Sequence, residues 1–356
     1  LIPLAGLILF GVQGVLEKHG IVLQMESMQV VSKLAVLSSA LVHEAQKERG
    51  MTAGFLGSKG EKFRSELPKQ RGETDLRIQA LREDRQHFSA GQLGSALAAA
   101  LERATGRLDG LPAMRTRVDG LGVPAKEAIG YYTTMNADFL EMVGALAKLS
   151  ATVEMGAMST AYAHFLLGKE RAGLERAVLT NTFSQGRFGP GVYVDFAKLV
   201  SEQNTYLKSF RALALPEQVE FLEQKMQAPA VAEVEGMREL AFKAGSSGES
   251  DPKLAVKVEE GAAEQAKGHQ DKTTASGLHG VDPGQWFNTI TTKINLLKEV
   301  EDRLSQDLHG RTAQLGDAAR RAYLGYLGFT LVVVVLSMFL SFGIARQILR
   351  QVGGEP

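Results

Sequence analysis

The sequence predicts an all-α protein, built of helical bundles whose first and last helices run on into two membrane spans. Three observations carry this. Ala, Leu, Glu, Gln, Lys and Arg dominate the interior, and Val-Ile-Thr runs of period two are missing. Apolar residues recur at helical spacing over long stretches. Residues 322–345, "AYLGYLGFTLVVVVLSMFLSFGIA", hold no charge, with Arg320 and Arg321 before them and Arg346 after. At a rise of about 1.5 Å per residue such a run crosses the hydrocarbon core with some tilt.

Taken in order, residues 1–16, "LIPLAGLILFGVQGVL", are uncharged until Glu17 and Lys18. They read as a first transmembrane helix whose beginning has been cut off, because a signal peptide would carry a basic leader and a cleavage site. A helical domain is expected between the two spans, at 24–320. Its first helix spans 26–55, with apolar or small residues at 30, 34, 37, 38, 41, 45, 52 and 55, and stops at Gly57 and Gly60. Further helices are expected at 70–88, 91–108, around 115–118, 125–153, 155–185, 192–213 and 216–242. Residues 245–284 turn to Gly, Ser, Glu, Lys and His and read as a polar insertion. A final helix starts near Trp286 and feeds the second span at 322–345. Its apolar positions 286, 287, 290, 294, 297, 300 and 304 form a seam of period near 3.5. A short tail, 346–356, follows.

Composition narrows the function. Lys plus Arg and Asp plus Glu stand at 40 each, so no long-range pull toward nucleic acid follows. With no cysteine there is no thiolate nucleophile and no cysteine-based metal site. "HEAQK" at His43 lacks the second histidine of the zinc-protease helix, and the "GFLGSKG" glycines follow no strand. No catalytic residue, metal or cofactor is therefore expected.

Two stretches stand out, "HEAQKERGMTAGFLGSKG" at 43–60 and "LLGKERAGLERAVL" at 166–179. With Leu34 at zero on a helical wheel, Glu48 and Arg49 fall about 40° and 60° to either side of the apolar stripe. With Tyr162 at zero, Leu166, Lys169, Gly173, Arg176 and Thr180 all lie within about 40°. A buried cation needs a carboxylate or a bound anion. Glu48 and Arg49, or Glu175 and Arg176, could pair across helices. Gly50 and Gly173, placed beside the guanidinium groups, favour room for a small planar oxyanion, which an arginine fork matches.

"KERGMTAGFLGS", "FRSELPKQRGETD", "KERAGLERAVL" and "QWFNTITTKINLLKEVEDRL", in that order over about residues 31–308, resemble the nitrate- and nitrite-sensing NIT domain. The tail "RQILRQVGGEP" is similar to the start of the HAMP linker in methyl-accepting chemotaxis receptors. The resemblance implies two stacked four-helix bundles outside the membrane, so the full expectation is stacked antiparallel bundles flanked by two spans. It also implies that Arg49 and Arg176 clamp nitrate or nitrite, with Gly50, Lys169, Arg171 and Gly173 ranked second. A multi-pass protein of the bacterial inner membrane follows, homodimeric, with a periplasmic sensor and cytoplasmic signalling partners. The rival readings are another small oxyanion or a partner protein as stimulus, and a histidine kinase or cyclase as output. Two guanidinium groups about 6 Å apart would repel by roughly 3 kcal/mol, and an anion about 4 Å from each would return about 4 kcal/mol twice. The helices would then part without ligand and close on it.

Overall fold

A computed structural model describes residues 2–86, 95–145, 152–248 and 280–353. Helix α1 (Ile2–Gly57) fuses the first apolar run with the expected helix at 26–55, since no proline interrupts residues 4–67. It stops where Gly60, at φ +87°, turns the chain and its N–H reaches the Phe55 carbonyl at 2.8 Å. Then come α2 (Glu66–Arg85), α3 (Ser95–Leu108), α4 (Leu111–Asp119) and α5 (Ala125–Gly144). Helix α6 (Val153–Gln185) is capped by the Thr152 side chain and closed by left-handed Gly186. Next are α7 (Val192–Leu213), α8 (Pro216–Met226) and α9 (Pro229–Gly248). Helix α10 (Pro283–Val352) starts on the Asp282 cap with proline in its first turn and runs unbroken into the second apolar stretch.

Helices α2 and α4 each start four residues before the expected position, and three larger differences stand beside them. The helix expected at 216–242 is two, because Pro229 has no N–H to give and its ring clashes with the turn before it. The helix expected at 125–153 ends at Gly144. The polar insertion at 245–284 is entered from α9, which reaches Gly248, and is left through Gly280 and the α10 cap; residues 249–279 lie outside the described ones.

Helix direction follows from which residues meet. Helix α10 runs antiparallel to α1, as Gly11 faces Thr330, Ser32 reaches His309 and Gly50 faces Phe287. It is also antiparallel to α6, through Glu154 with Arg311 and Lys169 with Glu301. Helices α1 and α6 are therefore parallel: Ser39 meets Tyr162, Gln46 meets Glu170, Gly50 meets Arg176 and Gly54 meets Thr180. An arrangement antiparallel throughout fails at this central pair. On either side, α2 and α5 pack against α1, while α7 packs against α6 and α8 and α9 against α10. One continuous core joins the halves, running from Met135 and Phe139 through Leu41 and Phe165 to Trp286 and Ile294.

All seven seam positions of α10, from Trp286 to Leu304, are buried. Beyond them the helix emerges bare, with Phe329, Leu331, Phe339 and Phe342 exposed, as are Leu9, Phe10 and Leu16 of α1. Among the described residues these two helices are long and apolar enough to cross a membrane. They meet each other through Gly11 with Thr330, Gly14 with Tyr326 and His19 with Tyr323.

Buried acids on the central pair are held from outside. Glu48 accepts from Arg115 Nε at 2.7 Å and from Tyr132 Oη at 2.7 Å. Glu175 accepts from Arg238 and from Gln203 at 2.7 Å. Arg238→Ala should cost about 3–5 kcal/mol, since it strands a buried carboxylate. Thermal and chemical denaturation measure this, and a loss under about 1 kcal/mol, the value of a surface pair, would refute it.

Candidate functional site

Arg49 and Arg176 are both wholly buried, on facing sides of the parallel helix pair. The glycines beside them in sequence work across the interface. A Cβ on Gly173 would stand 3.0 Å from Arg49 Nη2 and 3.2 Å from Gln46 Cδ. A Cβ on Gly50 would stand 2.8 Å from the Phe287 ring and 3.0 Å from Arg176 Nε. Each glycine thus admits the other helix's guanidinium. The room expected beside each arginine for a small guest is filled by the opposing arginine.

The two cations are not equivalent. Arg49 donates from Nη1 to Glu170 Oε1 at 2.5 Å and from Nη2 to Glu170 Oε2 at 3.3 Å. Its Nη1 also reaches Thr133 Oγ1 at 3.1 Å, and Gln46 Nε2 steadies Glu170 at 2.5 Å. Arg176 donates once, from Nη1 to Thr291 Oγ1 at 2.9 Å, and lies over the Phe287 ring at 5.0 Å. Its Nε and Nη2 are buried without an acceptor, and no carboxylate of the described residues forms an ion pair with it. Burial, then the nearby Arg49 charge, pushes the Arg176 guanidinium down to about 9, against partial relief from Glu170 and Glu44. It remains protonated at neutral pH. The expectation of two bare guanidinium groups repelling each other is met only in part, because Glu170 answers Arg49 and offsets some of its effect on Arg176.

Lys169 and Arg171 stand apart from this pair. Lys169 is buried against Glu301 of α10, and burial lowers its pKa although Glu301 opposes that. Arg171 is half-buried on the far side of α6, paired with Glu202 and 5.5 Å from the Tyr206 ring centre. Glu170, Thr133, Thr291 and Phe287 were not foreseen. Glu170 sits inside the quoted Lys-Glu-Arg triplet, but nothing in spacing says which helix it serves. Trp286, the first position of the α10 seam, is buried and donates its Nε1–H to the Arg176 carbonyl at 3.1 Å. Among the described residues no group of three or more His, Asp or Glu side chains is placed to hold a metal ion.

The echo between the two stretches is one of position. Glu48 and Arg49 match Glu175 and Arg176, each acid taken by an arginine of an outer helix and each arginine by a threonine. The same displacement sets His43 where Glu170 stands in the other half. Burial, reinforced by Lys169, Lys47, Lys298 and Arg176, holds the His43 imidazole far below its ordinary 6.5, so it is neutral. The unfolded chain takes up a proton there below about pH 6.5 and the folded chain does not, so stability drains as pH falls. His43→Gln should remove a slope that grows from about 0.7 kcal/mol per pH unit at about pH 6.5 to about 1.4 by about pH 5. Melting curves of both chains across that window check it, and identical slopes would refute it.

A nitrate regulatory protein of Klebsiella oxytoca is 29% identical over 221 residues, 61% of this chain and 54% of that protein. The chain therefore spans about half the length of that curated relative. The solved structure of the NasR transcription antiterminator superposes with a TM-score of 0.66 at 22% identity, over 94% of this chain and 87% of that one. That likeness establishes a shared all-helical fold. The family model for nitrate and nitrite sensing matches residues 40–309, which takes in both arginine stretches and the buried part of α10. The chain belongs to the nitrate- and nitrite-sensing NIT family.

Proposed function

We propose that this chain is the sensor region of a membrane receptor that binds nitrate or nitrite at Arg176 and Arg49 and signals along α10. The observation that carries it is the Arg176 side chain: a fully buried cation with two unpartnered donors and no acid of its own. An unanswered buried charge costs several kcal/mol. A small planar oxyanion on Nε and Nη2 would offset it, and Arg49 Nε across the interface is a further buried donor without a partner.

The route outward rests on what grips Arg176. Its guanidinium is held by Thr291 and Phe287 and its carbonyl by Trp286, all on the first turns of α10. An anion drawing Arg176 toward Arg49 pulls α6 against that end of α10. The helix then carries the displacement without a break to its bare apolar end. We read residues 1–16 and 322–345 as two spans, since exposed side chains such as Leu9, Phe10, Phe329 and Phe339 suit lipid and Gly11 and Gly14 let the two helices approach. In this reading residues 24–320 form a periplasmic sensor in the bacterial inner membrane, and 346–356 lead into a HAMP-type linker of a chemoreceptor. A homodimer, with cytoplasmic partners, suits spans of this kind.

Nitrate has four heavy atoms, and the best tiny ligands gain about 1.5 kcal/mol per atom, so affinity tops out near −6 kcal/mol, or tens of micromolar. The chain in nanodiscs, melted with nitrate or nitrite at about 100-fold over the dissociation constant, should gain near 2.7 kcal/mol. Acetate should do less, Arg176→Ala should abolish the gain, and both proteins should stay helical. A chain indifferent to nitrate and nitrite would overturn the reading; nanomolar binding would contradict the affinity ceiling.

A further inference from the structure

The buried charges around the two arginines can be taken partner by partner. Glu48 is answered by Arg115, which also holds Asp75, with Arg71 beside it on Asp119; Glu175 is answered by Arg238, Lys169 by Glu301 and Glu44 by Lys47. Lys298 lies on Glu301 and Asp302, and Lys293 and Arg238 share Glu235. His43 is neutral. What remains is Arg49, Arg176 and Glu170, and Glu170 is committed to Arg49 through both carboxylate oxygens. Within that group of three the balance is one positive charge, carried by Arg176.

We infer that Glu170 fixes the charge of the ligand: by answering Arg49 it leaves a deficit of one, so the site takes a monoanion and rejects a dianion. This rests on the anion-binding reading above and adds the class of ligand admitted. A monoanion brings the cluster to neutrality. A dianion would leave a net negative charge buried between helices, unanswered and close to Glu170, which costs about as much as an unanswered cation. Shape alone gives no such discrimination, because arginine forks accept trigonal and tetrahedral oxyanions alike.

The arrangement of the two halves bears this out from the other side. Under the displacement that carries Arg49 onto Arg176, the residue corresponding to Glu170 is His43, which burial and four surrounding cations keep uncharged. One acid among two related positions is what a site for a single negative charge requires. A second acid would close it.

The test uses the full chain in nanodiscs, melted with sodium nitrate, perchlorate and sulfate at matched ionic strength. Perchlorate and sulfate are both tetrahedral and differ by one charge. The unaltered chain should respond to nitrate and be at least about tenfold weaker for sulfate. Glu170→Gln leaves Arg49 unanswered and should raise sulfate affinity at least about tenfold, past perchlorate. His43→Glu supplies the second acid and should lose the nitrate response while staying helical; it decides the matter alone if Glu170→Gln does not fold. Should Glu170→Gln treat perchlorate and sulfate alike, or His43→Glu keep the nitrate response, charge counting is overturned while nitrate binding stands. Should the unaltered chain respond to nitrate and sulfate alike, charge selection is overturned while anion binding stands; should it respond to neither, the anion-binding reading falls and this inference with it.

Discussion

The interface between the parallel helices α1 and α6 depends on burying two guanidinium groups where only one carboxylate is supplied. A side chain of that size and charge goes inside only with space and compensation. Gly50 and Gly173 supply the space reciprocally, each bare of a Cβ where the opposing arginine passes. Compensation is unequal: Glu170 gives Arg49 two hydrogen bonds, whereas Arg176 has a threonine hydroxyl and the face of an aromatic ring. Burial and the Arg49 charge depress the Arg176 guanidinium to about 9, against an ordinary 12.5. On the anion-binding reading proposed above, this unanswered charge is what would give an anion its differential interaction with the fold, and only a differential interaction can move a conformational equilibrium.

How the imbalance reaches the rest of the molecule is set by α10. It packs antiparallel against both central helices, so a change in their spacing is registered along its whole buried seam. No proline interrupts it between Pro283 and Val352, and it leaves the core as the same rigid rod. Buried pairs at Glu48 and Glu175 tie α1 and α6 to outer helices on their other sides.

Much of this was legible in the sequence. The α10 seam was read position by position because one face of that helix meets the core and a single period records it. The line Tyr162, Leu166, Lys169, Gly173, Arg176 and Thr180 on α6 was also read, and every member is buried. Helix α1 was harder. Neighbours on several sides bury Glu44, Gln46, Glu48 and Arg49 together, so the wheel put Glu48 and Arg49 only at its flank. Pairing was not legible at all. Glu48 stands beside Arg49 and Glu175 beside Arg176, yet consecutive helical residues point apart, and each acid serves an arginine from another helix. Glu170 was hidden for the same reason, as was the parallel run of α1 and α6, which only a third helix antiparallel to both reveals.

The central claim is that Arg176 is a buried cation without an acid, held at a cost that an anion offsets. Replacing it by methionine, an apolar side chain of similar reach, measures that cost directly in the chain without added anion. If the claim holds, Arg176→Met melts higher than the unaltered chain by a margin equivalent to about 1 kcal/mol or more, because an unanswered charge has been removed. If Arg176→Met melts lower by the equivalent of about 3–5 kcal/mol, the guanidinium had a full partner in the fold and the account is wrong.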